Sequence, residues 1–347
     1  GHRGARLDLC GDAGDARKPG PELALGRAWD RAAHRRHAGA LRSRPRLVAA
    51  LPLSTRALPH RLLPIARELR FATDPFGDYH GMLCRPGYEA PAIAAFAKTL
   101  LDLRWEKAIF ADVNDERIAE ILAPLRERGI VASEDGTARC FAIDLPETYE
   151  AFLQTLSKPT RRRTTTPLKT LPAELPALRI TTSDAAGADV AAHVDAIIDL
   201  NTKRWSASTR RAERLRALLL AAHGEGALRV HVIWDGDRPI AAGAVFRDPV
   251  HRVQGFYLVA HDSDYDRFGP GKAILALVVQ TAIAERYAVV DFMRGEEEYK
   301  QSYATREQLN HRYLLTRPSL RQTLFTALEP LFASLRTFVL RLREHRA

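Results

Sequence analysis

Residues 264–275 run Asp264-Tyr265-Asp266-Arg267-Phe268-Gly269-Pro270-Gly271-Lys272-Ala273-Ile274-Leu275, and the reading of the fold turns on this stretch. Upstream of it, Ala227 to Trp234, Ile240 to Arg247 and Val253 to Ala260 are apolar runs of strand length. The first two are separated by Asp235-Gly236-Asp237, a strong hairpin signal. Downstream, Lys272 to Glu285 is apolar nearly all round (Ile274, Leu275, Leu277, Val278, Val279, Ile283), the pattern of a helix buried against a sheet. Two glycines at a strand-to-helix junction let the backbone approach a bulky anion with no Cβ in the way. The helix behind them offers unpaired N–H groups and the positive end of its dipole. The stretch therefore predicts a pyrophosphate cradle. Pro270 has no N–H, so the donors fall to Gly271, Lys272 and Ala273. As a bare pattern, Gly-Pro-Gly before a helix is more often an ordinary stop-and-start turn, and the buried helix behind it is what brings the anion site level with that reading.

About 20 residues on, a strand (Val289 to Phe292) delivers Asp291-Phe292-Met293-Arg294-Gly295-Glu296-Glu297-Glu298-Tyr299-Lys300-Gln301-Ser302-Tyr303. A glycine turn packed with carboxylates and followed by two tyrosines and a lysine can hold an anionic acyl donor and protonate a leaving group. The bland alternative is a solvated loop with one Glu–Lys contact. A late strand follows from His311 to Thr316.

Working outward, the first half alternates strands and helices. Leu47 to Leu53 reads as a buried strand, Ala90 to Leu101 and Arg117 to Arg128 as helices, and Lys107 to Ala111 and Cys140 to Leu145 as strands. This alternation argues for an α/β half-molecule. Glu147 to about Ser157 has helical character and runs into a basic, proline-punctuated segment, 158–176, read as a linker. Its Lys158, Arg161, Arg162, Arg163 and Lys169 are either a solvated face or a contact for an anion. Beyond it come a strand (Ala177 to Thr181) and helices over Ala188 to Trp205 and Arg211 to Ala222. The expected domains are a poorly ordered basic segment (1–45), an N-terminal half (46–157), the linker (158–176), a C-terminal half (177–317) and a C-terminal helix (318–347).

Composition narrows the function classes. The chain has 347 residues, 46% apolar, enough for a substantial core and typical of two domains rather than one. Three cysteines (Cys10, Cys84, Cys140) exclude a disulfide scaffold and lie at no zinc-ligand spacing, so no metal is expected and the compartment reads as cytoplasmic. The formal net charge is +10. Residues 1–70 hold fifteen Lys/Arg against six Asp/Glu, leaving 37 against 36 in the rest. The rest of the chain is thus near neutral, which argues against nucleic acid as a partner.

A run of three strands, a glycine turn into a buried helix, a further strand and a late strand resembles the layout of the GNAT acyl-CoA N-acyltransferases. More specifically, residues 268–275 with 291–303 resemble the branch known as cellulose-biosynthesis CelD-like acetyltransferases, with tandem GNAT-type halves in a layout similar to the Fem aminoacyltransferases. Residues 46–53 resemble that family's early strand, 76–83 its Asp-Tyr segment and 156–171 its basic linker, so the likeness covers roughly 46–317. Departures are Asp266, where the family's turn usually begins with Arg or Gln, Ala304 in place of a glycine, and three threonines in the linker. The resemblance implies an α/β fold of the α+β GNAT type: two tandem acyl-CoA N-acyltransferase-like halves, each a mixed, mostly antiparallel sheet flanked by helices, plus a C-terminal helix.

It further implies direct transfer of an acyl group from acetyl-CoA or another acyl-CoA, as co-substrate, to an amine. The acceptor class is an amino sugar or an envelope or exopolysaccharide precursor. Donor contacts fall to Gly269, Gly271, Lys272 and Ala273, to Arg267 for the phosphates, and to the main chain of Val259 and Ala260 for the pantetheine arm. Catalysis falls to Tyr303 or Tyr299 as acid and to Glu296 or Asp291 as base, with Lys300 orienting. His261, Asp78 and Tyr79 are assigned to the acceptor. Two other readings stay open: Fem-like transfer from aminoacyl-tRNA, and a non-catalytic scaffold in polysaccharide synthesis. In the tail, Leu320, Leu324, Leu328, Leu331, Leu335, Phe338, Val339 and Leu342 form one stripe ringed by arginines. That stripe fits a helix docked on the body, or one lying on a membrane surface or a partner, which would place the protein at the inner face of a membrane.

Overall fold

A computed structural model describes residues 36–43, 46–60, 63–205 and 208–344. They fall into two compact units, residues 36–138 with 309–344, and residues 139–308. The division comes at 138/139, inside a strand, and not at the expected linker. The expected poorly ordered segment 1–45 contributes a strand at 36–43, while its first 35 residues, Cys10 among them, lie outside the described residues.

The first unit contains β1 (Arg36–Ser43), β2 (Arg46–His60), β3 (Leu63–Phe71), β4 (Leu83–Cys84), α1 (Glu89–Asp102), β5 (Lys107–Val113), α2 (Arg117–Glu127) and the start of β6 (Val131–Asp144). Its strands run in the order β1-β2-β3-β5 and then β12 (Arg306–Thr316), with β4 on β2. Only β3 and β5 pair in parallel in that series, at Glu68↔Lys107 to Arg70↔Ile109. α1 turns Ala92, Phe96, Ala97 and Leu100 inward, and α2 turns Ile118, Ile121, Leu122 and Leu125, each at helical spacing. They close on Phe71, Trp105 and Phe110. Each such fully buried large side chain contributes about 1.5–3 kcal/mol.

The last carbonyls of α1, which have no partner within the helix, take hydrogen bonds from the Arg317 guanidinium at Leu100, Leu101 and Leu103. That guanidinium lies 4.6 Å from the Trp105 ring centroid. β3 carries no strand signal in the sequence, because Arg67, Glu68 and Arg70 interrupt its apolar pattern. Glu68 is nonetheless buried, in ion pairs with Arg56 and Arg70. Pairing removes the penalty that a lone buried charge would carry.

The second unit takes the rest of β6 with α3 (Tyr149–Thr155), α4 (Lys158–Glu174), β7 (Leu178–Thr182), α5 (Val190–Trp205), α6 (Thr209–Gly224), β8 (Leu228–Asp235), β9 (Arg238–Asp248), β10 (Val253–His261), α7 (Pro270–Ala284), β11 (Val289–Arg294) and α8 (Glu298–Gln301). The strand order is β6-β11-β10-β9-β8-β7, antiparallel throughout except for β10 with β11. The sheet in each unit is therefore mixed and flanked by helices, as expected. Asp235↔Arg238 closes the predicted two-residue hairpin, with Gly236 at φ 59°. α7 buries Ile274, Leu275, Val278, Val279 and Ala282 between the sheet and α4.

Segment 158–174, read as a linker, is a helix. Ser157 caps it by accepting from the Thr160 amide (3.3 Å), and Pro159 sits in the first turn, where its missing N–H costs nothing. Thr160, Thr164, Pro167 and Leu171 form its buried ridge against α7. The two internal prolines and the threonine run hid it, since propensity alone opposes a helix there and packing overrides it.

The C-terminal helix, α9 (Leu320–Glu344), packs on β2 and β3, burying Phe325 and leaving Leu320, Leu324 and Leu331 exposed. The stripe residues from Leu335 onward lie outside the side chains described. Among the described residues no helix is long and apolar enough to cross a membrane.

Candidate functional site

The site is built where two parallel strands separate. β10 and β11 pair only at Val253↔Val289, Gln254↔Val290 and Gly255↔Asp291, yet β10 continues to His261 and β11 to Arg294. Both strands are diverted just past the last pair. β10 breaks register with β9 between Phe256 and Leu258, and β11 breaks register with β6 between Asp291 and Arg294. Met293 is left-handed at φ 57°, and its Sδ lies 3.0 Å from where a Cβ on Gly255 would stand. Asp291 holds this kink by accepting the Met293 amide at 2.6 Å. Bulges redirect strands in this way and favour sites. Past Gly255, the main chain of β10 pairs on the β9 side (Val259↔Gly243, Ala260↔Ala242) and has no ladder partner on the β11 side.

The glycine turn stands at the far end of β10, after a short 3-10 turn (Ser263–Phe268). Gly269 caps α7 in the left-handed conformation, φ 65°, ψ 44°. Its carbonyl already accepts the amides of Lys272 (3.0 Å) and Ala273 (3.2 Å). This corrects the expectation for those two main-chain donors. Of the three, only the Gly271 amide has no intrahelical carbonyl upstream. Lys272 retains an exposed side chain, while Ala273 is buried.

On the side where a Cβ would point, both part-exposed glycines are close to protein. A Cβ on Gly269 would meet Pro167 Cγ of α4 at 3.1 Å, and one on Gly271 would meet the His261 ring at 3.1 Å. His261 Nε2 contacts Asp266 at 2.8 Å, so the ring ties the strand end to the turn. Arg267 is exposed, its guanidinium 4.4 Å from the Phe268 ring centroid.

The second motif packs on the same strand. Phe292 is fully buried, with Tyr299 edge-on at 6.0 Å and Tyr303 tilted at 6.4 Å between ring centroids. The Thr164 hydroxyl donates to the Thr160 carbonyl (2.8 Å), so the buried Tyr303 hydroxyl, 2.8 Å away, donates to Thr164. The Tyr299 carbonyl accepts from the Ser302 amide and hydroxyl, while the Tyr299 hydroxyl makes no hydrogen bond among the described residues. Burial pushes both phenols above the usual tyrosine range. The Glu297 charge adds to this at Tyr299, and the Arg163 charge opposes it at Tyr303. Both hydroxyls therefore stay protonated near neutrality.

Lys300 is buried, its ammonium on the Glu297 carboxylate (2.8 Å) and the Arg294 carbonyl (3.0 Å) around the Gly295 turn. Glu296 is exposed, 3.4 Å from the Arg139 amide. Asp78 and Tyr79 belong to the first unit, in a loop where Tyr79 is left-handed at φ 59° and His80 is buried against Phe71.

Sequence reasoning missed Thr164 and Pro167, the α4 residues that touch this machinery. Ser157 with Pro159, a cap followed by a first-turn proline, was the available signal. Among the described residues no group of His, Cys, Asp or Glu side chains could hold a metal ion.

A mixed sheet whose one parallel pair separates beside a glycine turn and a buried helix defines a GNAT-type α/β fold. The family model for the acetyltransferase (GNAT) domain matches residues 158–301, which include α4 and everything through α8. That match lies within the second unit and spans less than half of the chain. FemX is similar in structure at 10% identity, covering 90% of this chain and 99% of that one with a TM-score of 0.57. So is the C-terminal domain (DUF2156) of a putative lysylphosphatidylglycerol synthetase from Agrobacterium fabrum, at 10% identity, 92% of both chains and a TM-score of 0.52. L-PGS from Bacillus licheniformis is 12% identical over 90% of this chain and 96% of its own, with a TM-score of 0.52. At these identities the likeness is one of fold. None of the curated proteins matches the chain.

Proposed function

We propose that the protein is an acyl-CoA-dependent N-acyltransferase of the CelD-like kind, acting on the amine of an amino sugar or a related envelope or exopolysaccharide precursor. The observation that carries this reading is the parting of β10 and β11 after Gly255↔Asp291, with the Gly269–Gly271 turn at the end of the longer strand. A thioester donor with an extended, amide-bearing arm fits the unpaired edge of Val259 and Ala260. Its diphosphate fits the Gly271 amide at the positive end of α7.

The step is direct. The neutral amine nitrogen attacks the thioester carbonyl carbon, the C–S bond breaks, the nitrogen gives up one proton as the amide forms, and the departing thiolate takes one up. Free amines have a pKa near 10, so one proton must leave the acceptor before attack. Glu296, exposed and held by a long contact from the Arg139 amide, is the carboxylate that takes it, since Asp291 is engaged in holding the strand kink. Tyr299 is the proton donor: its hydroxyl is held protonated and is not committed elsewhere, whereas the Tyr303 hydrogen is directed at Thr164. Lys300 shapes the Gly295 turn that carries Glu296.

Calorimetry with acetyl-CoA and free CoA, against a Gly271→Asp variant, tests the donor assignment. Binding by the parent chain and loss in the variant is the expected result. Turnover with aminoacyl-tRNA and none with acetyl-CoA would replace this reading by the Fem-like one.

A further inference from the structure

We propose that Arg163, on the helix the sequence presents as a linker, is a phosphate-binding residue of the donor site; the assignment rests on the donor reading above. The argument begins with a shortage. Pro270 has no N–H, and the Lys272 and Ala273 amides are bonded to Gly269, so the main chain of the turn is left with the Gly271 amide for a doubly charged group. Side chains must supply the remaining donors, and α4 lies against the turn.

Pro167 of α4 abuts Gly269, and Thr164 of α4 accepts from Tyr303. Arg163 is one helical turn before Pro167 and adjacent to Thr164, so it leaves the helix beside the ridge that makes both contacts. It is exposed, and its charge reaches the Tyr303 hydroxyl.

The electrostatics of α4 point the same way. Lys158, Arg162, Arg163 and Lys169 form no ion pair among the described residues, whereas Arg139, Arg216 and Arg238 of the same unit are all paired with carboxylates. Arg161 is engaged with the carbonyls of Gln154 and Leu156. No acidic residue stands in the first turn of α4, and Lys158, Arg162 and Arg163 lie in its first two turns, towards the end of the helix where the dipole disfavours a cation. An anion is what would offset that arrangement. Of the four, Arg163 is the one next to the ridge, while Arg162 lies 100° further round the helix.

The test is calorimetry with acetyl-CoA and with its 3′-dephospho analogue on the full chain, comparing wild type, Arg163→Gln and Arg162→Gln. Arg163→Gln should weaken acetyl-CoA binding about tenfold, as for one charge-assisted contact, with Arg162→Gln changed by less than about twofold. An equal loss for both ligands assigns the contact to the diphosphate, and a loss for acetyl-CoA alone assigns it to the 3′-phosphate. Arg163→Lys should restore part of the affinity, and matched thermal midpoints exclude a folding effect. Unchanged affinity in Arg163→Gln, or an equal loss in Arg162→Gln, overturns the assignment. Failure of the wild type to bind either ligand overturns the donor reading itself and Arg163 with it.

Discussion

Tyr299 and Tyr303 are four residues apart on the same aromatic support, and the hydrogen bonding of their hydroxyls separates their roles. In Tyr303→Phe the Thr164 hydroxyl keeps its bond to the Thr160 carbonyl, so we expect a stability change of about 1 kcal/mol and near-normal turnover. Tyr299→Phe removes the proposed acid. It should lower the rate of thiol release from acetyl-CoA by about a hundredfold or more, with donor affinity retained. Steady-state kinetics beside calorimetry separates the two, and the reverse ranking would transfer the role to Tyr303. A buried histidine on β8 makes a second prediction at this scale. Burial pulls the His231 pKa down to about 4, so the folded chain keeps it neutral while the unfolded chain titrates at the ordinary value. The unfolded state then binds the extra proton. Stability should fall as pH drops through the window from about 6.5 to 4, by on the order of 3 kcal/mol at its lower end. Urea denaturation across that window should show a shallower pH slope in His231→Leu than in the parent.

At the scale of elements, the contact of α4 with the glycine turn decides the geometry of the site. Gly269 is left-handed with Pro167 against it, so Gly269→Ala combines a disfavoured backbone conformation with a crowded Cβ. We expect a loss of about 1–3 kcal/mol, read as a lowered thermal midpoint, together with weaker acetyl-CoA binding. An unchanged midpoint would mean that the turn is not constrained by α4. The helix illustrates what a local reading of sequence can miss. Arg161-Arg162-Arg163 and Thr164-Thr165-Thr166 between prolines have the composition of a loop, and they become a helix only because Thr160, Thr164, Pro167 and Leu171 find α7 to pack on. By contrast α7 was legible outright, since a segment apolar on every side can only be buried.

For the whole molecule, every donor contact proposed here lies within residues 139–308, and each unit has its own core. Leu122→Ala, in the core of the first unit, should cost about 2–5 kcal/mol in urea denaturation. It should leave the affinity for acetyl-CoA unchanged under native conditions. A parallel loss of affinity would show that the first unit supplies donor contacts. The units also do not follow the order of the chain. β6 and β12 each run across the division, so the late strand 309–316 completes the sheet of the first unit. A composition shift along the sequence pointed to 158–176 as the boundary, and composition does not register which strands pair.

Periodicity, turn residues and helix-start signals by themselves determined the three-strand run, the hairpin at Gly236, the glycine turn and the buried α7, because each is set by interactions within a few residues. The same local order carried the Asp291–Tyr303 motif. Tertiary structure alone decided that α4 closes on the turn through Pro167, that the Tyr303 hydroxyl meets Thr164, and that the His261 ring lies against Gly271. Each of these depends on which group lies within contact distance of another, and that distance exists only once the chain has packed.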